Sequence, residues 1–161
     1  MPAHYPVPIQ EDIRDLLVDL LGRPVVIDKV EGRDLTEDPP ALIAEFSTDD
    51  GEPGVLCAMD APFTLRCGAA LAMVPLPVVE EALRRDELPE SLVENVREVA
   101  NILARLLNSP STPHLRLHAL HQLPTELTPA VEALLGSPEF RRDFALTIEG
   151  YGNGRLSLLA A

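Results

Sequence analysis

The chain has 161 residues, 46% of them hydrophobic, which suits one domain with a real core and argues against disorder in spite of 16 prolines. A formal charge of −13 argues against nucleic acid or an anionic membrane as partner, since both require basic patches, and the absence of Trp leaves little for base stacking. A single domain over residues 1–161 is expected, with neither nucleic acid nor membrane as its ligand.

The opening MPAHYPVPIQED has no basic region and no apolar run of signal-peptide length. No segment offers the roughly 18 uninterrupted apolar residues of a membrane span, so the expected location is cytoplasmic. Ile9, Ile13, Leu16, Leu17 and Leu20 recur at helical spacing, and Gly22 followed by Pro24 stops the helix they predict over residues 9–21. Val25, Val26, Ile27 and Val30 predict a short strand, followed by an acidic, turn-rich connection over 31–40. Strands over 41–48 and 55–59 flank the turn formers Asp49-Asp50-Gly51-Glu52-Pro53-Gly54, which reads as a hairpin.

Asp60 can cap a second helix, with Pro62 tolerated in its first turn. Gly68, Ala69 and Ala70 make the middle of that helix narrow, so another element can approach closely. Pro75 and Pro77 interrupt it, and a short helix is expected over 78–85. Cys57 and Cys67 lack a C-x-x-C partner and sit among apolar residues, which reads as two small buried hydrophobes.

The next stretch organises the rest. Over 90–107 the sequence predicts one continuous helix, with Leu92, Val93, Val96, Val99, Ala100, Leu103, Ala104, Leu106 and Leu107 on a broad apolar face. Ser91, Glu94, Glu98, Asn101, Arg105 and Asn108 form a narrow polar stripe opposite. Ser91 and Glu94 read as an S-x-x-E capping box, a structural role for Glu94. Glu98 and Asn101 are three apart and therefore neighbours. A carboxylate beside a carboxamide on a rigid helix suits a preorganised site, and the same spacing suits an ordinary wet helix face.

Ser109-Pro110-Ser111-Thr112-Pro113 stops the helix, and the alternation from His114 to Ala119 predicts a half-buried strand. A short helix is expected over 129–135. Strands over 144–149 and 155–159 flank Gly150-Tyr151-Gly152-Asn153-Gly154 as a second hairpin. The fold class that follows is α+β, a mostly antiparallel sheet with long helices packed on it. His114, His118 and His121 share a face only if helical; as a strand, His114 and His118 point away from His121, so no metal site is expected. No nucleophile elbow or phosphate-cradling glycine loop is present.

Glu98-x2-Asn101 is followed by 22 residues and then Pro124, and the acid Glu94 stands four residues before Glu98. This pattern resembles the signature of the CheC/CheX family of chemotaxis-type response-regulator phosphatases: Asp or Ser, x3, Glu, x2, Asn, x22, Pro. Glu94 stands where the signature has Asp or Ser, and Arg105 where the family usually has glycine. The single E-x2-N helix is CheX-like. The resemblance implies a CheC-like fold and catalytic roles for Glu98 and Asn101. Asn101 would position a water for in-line attack on the phospho-aspartate of a CheY-like receiver domain, and Glu98 would pair with the receiver's lysine. It implies no cofactor of the chain's own, Mg2+ in the partner receiver, and a homodimer. The alternative is a catalytically silent receiver-docking or dimerisation module of the same fold.

Overall fold

Ile13, Leu17 and Leu21 bury one side of α1 (Gln10–Leu21) in the structure, a computed structural model that describes residues 5–161. Gly22 ends that helix at φ 66, where a residue without Cβ is unstrained, and its N–H bonds Val18 O. β1 (Val25–Lys29) follows as expected. β2 (Leu42–Ser47) and β3 (Pro53–Met59) make the first hairpin and are buried almost throughout, because other elements cover both of their faces. Asp60 caps α2 (Ala61–Leu71) by accepting the Phe63 N–H at 2.8 Å. α3 (Leu76–Arg85) takes Pro77 into its first turn and begins slightly earlier than the sequence suggested. α4 (Glu90–Leu103), β4 (Arg116–Gln122) and α5 (Pro129–Gly136) lead to the last hairpin, β5 (Phe140–Ile148) and β6 (Gly152–Ala160).

The six strands form one antiparallel sheet in the order β1-β5-β6-β3-β2-β4. The two hairpins join where β3 pairs with β6, Cys57 opposite Leu158. One face of the sheet carries Phe46, Val55, Cys57, Phe144 and Leu156 into the main core beneath α1, α2 and α4. The other face packs Ile43, Leu56 and Leu159 against Val131, Leu134 and Leu135 of α5 and against Leu35 of the 31–40 connection. α3 rests on α2 instead of the sheet, with Val79 and Ala82 meeting Leu65 and Ala69. The expected α+β class with an antiparallel sheet is the observed one.

The narrow middle of α2 has the consequence expected of it. A Cβ on Gly68 would stand 2.4 Å from the Leu92 carbonyl oxygen, so α2 and α4 touch backbone to backbone there. Asn95 Nδ2 donates to Gly68 O at 2.8 Å and fixes the contact. The start of α4 is thereby seated directly against α2. Cys57 and Cys67 are free and buried; burial, and for Cys57 the neighbouring thiol, pushes both titrations up, Cys67 to about 12.

Two expectations about α4 are corrected. The extended residue that opens the helix is Pro89 (ψ 134), two positions before Ser91, and no side chain caps it. Ser91 is already wound into the first turn, so the Ser91–Glu94 capping box does not form, and Glu94 instead pairs with Arg97 at 3.3 Å. The helix also does not continue unbroken to 107. Its last turn, Ala104–Leu107, tightens to a 3-10 helix before the chain becomes extended at Asn108.

Candidate functional site

α4 buries Leu92, Val93, Val96, Val99, Ala100 and Leu103, so the remaining side of the helix faces outward. Glu94, Glu98, Asn101 and Arg105 are exposed on it. Glu98 and Asn101 stand one turn apart, and neither side chain has a hydrogen-bond or ion-pair partner among the described residues. Both are free to meet a ligand, while Val96, Val99, Ala100 and Leu103 on the opposite side of the helix seat this stretch in the main core.

Asn101 opens onto a groove of about 620 Å³. One wall is the end of α4 and its 3-10 turn, with Asn101, Ala104 and Arg105; the other is the segment entering β4, with His114 and Arg116. Leu115 and Leu117 line it between these walls. Asn108 lies outside the exposed stripe in which the sequence placed it, because the chain has left the helix. Its Nδ2 donates to Ala104 O at 2.9 Å and to Leu115 O at 3.0 Å, and its Oδ1 accepts the Leu115 N–H at 2.8 Å. One amide therefore ties the two walls together. Arg105 makes no ion pair among the described residues, and Arg116 reaches only Asp49, at 3.6 Å with both side chains exposed.

The sequence marks His114 only as one of three histidines weighed for a metal, and it gives no sign that Arg116 stands beside Asn101. They follow the Pro-rich turn after α4, and only the chain reversal there brings them opposite Asn101. Pro124, the distant position of the sequence pattern, is not part of the groove. It follows β4 at the end opposite Arg116, roughly 20 Å along a seven-residue strand, and lines a separate cleft with Pro39, Pro40 and Asp86.

The histidines are dispersed. β4 shifts register against β2 between Phe46 and Glu45, whose partners are Leu117 and Ala119, so His118 is the extra residue of a bulge. His121 Nε2 lies 2.7 Å from Glu45 Oε1, and Ser47 Oγ donates to Glu45 Oε2 at 2.6 Å, which satisfies a carboxylate only 4% exposed. Among the described residues no group of three or more His, Cys, Asp or Glu side chains could hold a metal ion. No helix among them is long and apolar enough to cross a membrane.

No protein-family pattern matches the chain, and no curated protein matches its sequence. Solved structures do match. FliY of Thermotoga maritima is 16% identical with a TM-score of 0.61, the match covering 92% of this chain and 82% of that one. FliM in the FliM–SpeE complex from H. pylori is 10% identical with a TM-score of 0.57, over 93% and 80%. The H. pylori FliM middle domain is 12% identical with a TM-score of 0.53, over 93% and 83%. At these identities the likeness is one of fold: the chain has the α+β, CheC-like architecture that FliY and the FliM middle domain also have.

Proposed function

We propose that the chain is a CheX-like phosphatase that hydrolyses the phospho-aspartate of a response-regulator receiver domain. The observation that carries this reading is the adjacent, exposed and unpaired placement of Glu98 and Asn101 on a clamped helix, with Asn101 at the lip of an open groove. An acyl phosphate in a receiver already has its leaving group, and the receiver supplies Mg2+ and a lysine around the phosphoryl oxygens. What remains is to hold one water in line. The Asn101 carboxamide offers both an acceptor and two donors for that water. The water oxygen bonds to phosphorus as the acyl P–O bond breaks; aspartate leaves as carboxylate, and the water's protons pass to the orthophosphate product and solvent. Glu98, one turn away, pairs with the receiver's lysine and sets the register of the two proteins.

A docking module without hydrolysis is the second reading. It is favoured by the FliM–SpeE structure, in which a protein of this fold is found in a complex with another protein. Phosphate release from a panel of phosphorylated receiver domains separates the two. Wild type should accelerate decay, and Asn101→Ala should slow that decay by roughly a hundredfold or more, the scale of one lost preorganised hydrogen-bonding group, with little change in affinity. Binding of a phosphorylated receiver without any acceleration would refute the phosphatase and leave the docking module.

A further inference from the structure

We propose that the groove beside Asn101 is a docking surface for acid. Arg105, His114 and Arg116 receive the acidic side chains that surround a phosphoryl-bearing carboxylate on the partner protein. The proposal rests on the phosphatase reading for the class of partner and deepens it by assigning recognition to residues outside the Glu98–Asn101 pair.

Charge is the first argument. The chain has 26 acidic residues against 13 basic ones, so most of its surface repels an acidic protein. Six other arginines are paired with carboxylates: Arg14 with Asp15, Arg33 with Asp38, Arg84 and Arg85 with Glu81, Arg97 with Glu94, and Arg141 with Asp143. Arg23 and Arg66 donate to the backbone carbonyls of Glu149 and Asn153, Arg142 lies over the Phe140 ring, and Arg155 and Lys29, which have no ion pair among the described residues, lie away from the groove. Arg105 has no ion pair among the described residues either, and the Arg116–Asp49 pair at 3.6 Å, with side chains 71% and 76% exposed, exchanges readily with solvent or a partner. The groove therefore brings two guanidinium groups, one without an ion pair and one only loosely paired, together with a histidine in a chain that has few basic residues.

Geometry is the second. The three basic side chains stand on two facing walls that Asn108 fixes at one spacing, over a floor with buried Leu115. A guanidinium offers a planar fork of donors that matches carboxylate or phosphoryl oxygens. Glu98 lies outside the groove, one turn before Asn101. The complementary partner presents several acids with one cation at their edge, which is the charge pattern of a phosphoryl-accepting carboxylate cluster with its lysine.

The test is calorimetric titration of a panel of receiver domains held in the acyl-phosphate-like state with beryllofluoride and Mg2+, at low and high salt. Wild type should bind a member of the panel, more weakly at high salt. Arg105→Glu combined with Arg116→Glu should weaken binding by about tenfold or more and flatten the salt dependence. Arg105→Lys should keep most of the affinity, and the neutral Arg105→Gln should fall between, with thermal melts unchanged in all of them. Unchanged affinity in the charge-reversed protein, or no binding by any receiver, overturns the proposal. So does a second copy of the chain as occupant, seen as a dimer that the reversal dissolves. Phosphate release measured on the same samples keeps the two ideas apart. Charge-dependent binding without faster decay removes the hydrolysis and leaves the groove; faster decay with affinity indifferent to the reversal does the opposite.

Discussion

Gly68→Ala tests the contact that seats the start of α4, the helix that carries the candidate site, against α2. The added methyl carbon would lie 2.4 Å from Leu92 O, 3.1 Å from its carbonyl carbon and 3.3 Å from its Cα. A carbon meets a carbonyl oxygen comfortably at about 3.3 Å, so the two helix backbones must separate by about 0.9 Å. Backbone cannot swing aside as a side-chain tip can, and overpacking of this kind costs about 1–3 kcal/mol. The separation also stretches the Asn95–Gly68 hydrogen bond, worth about 1 kcal/mol. Against this, Ala is better than Gly in a helix by about 1 kcal/mol. The net expectation is a loss of about 1–3 kcal/mol, or roughly 3–10 °C in Tm for a chain of this size. Urea unfolding followed by circular dichroism measures it, with Asn95→Ala run alongside to isolate the hydrogen bond. A Gly68→Ala protein as stable as wild type would mean that α2 and α4 do not meet as described.

Other expectations are independent of that contact. Asn108→Ala should cost about 1–3 kcal/mol, because Leu115 N–H and two carbonyls lose their partner in a half-buried corner; a melt within error of wild type would refute the tie between the groove walls. Glu98→Ala and Asn101→Ala should each stay within about 0.5 kcal/mol of wild type, since both are exposed and unpaired, and a larger shift would mark them as structural. Native protein should resist alkylation at Cys57 and Cys67 until unfolded, and rapid labelling at neutral pH would contradict their burial. Both thiol titrations are raised by folding, so their contribution is intact below the unfolded value of about 9 and is lost as pH climbs above it, by about 1.4 kcal/mol per pH unit per thiol. Alkaline urea titrations of wild type and Cys67→Ala should show the steeper decline in wild type; identical slopes would count against it.

Elements whose period matches their surroundings were legible in the sequence: α1 with its glycine stop, both hairpins, the Asp60 cap and the buried side of α4. The exposure of Glu98 and Asn101 followed from the same arithmetic, because an apolar arc that wide leaves polar residues one place to go. Errors fell where one local signal competed with another. Ser91-x-x-Glu94 has the form of a capping box, but Pro89 sets the start of the helix upstream of it. The 3-10 tightening at Ala104–Leu107 has no marker in an apolar run that reads as unbroken helix. The bulge at His118 upset the alternation used to orient the histidines, since one extra residue exchanges the faces of those beyond it. His114 and Arg116 could not be joined to Asn101 from sequence, because their meeting depends on a turn geometry and on the Asn108 tie.

The bulge in β4 bears on how anything can dock at this end of the molecule. β4 is an outer strand of the sheet, and a regular outer strand is an open template on which a foreign extended segment can zip itself. The extra residue at His118 breaks the run of outward-facing backbone donors and acceptors midway along only seven residues, and Pro113 and Pro124 stand beyond its two ends. Strand addition beside the groove is thereby disfavoured, as is self-association into extended ribbons along that edge. A visitor to this corner must be recognised through side chains, as a folded surface carrying the right charges.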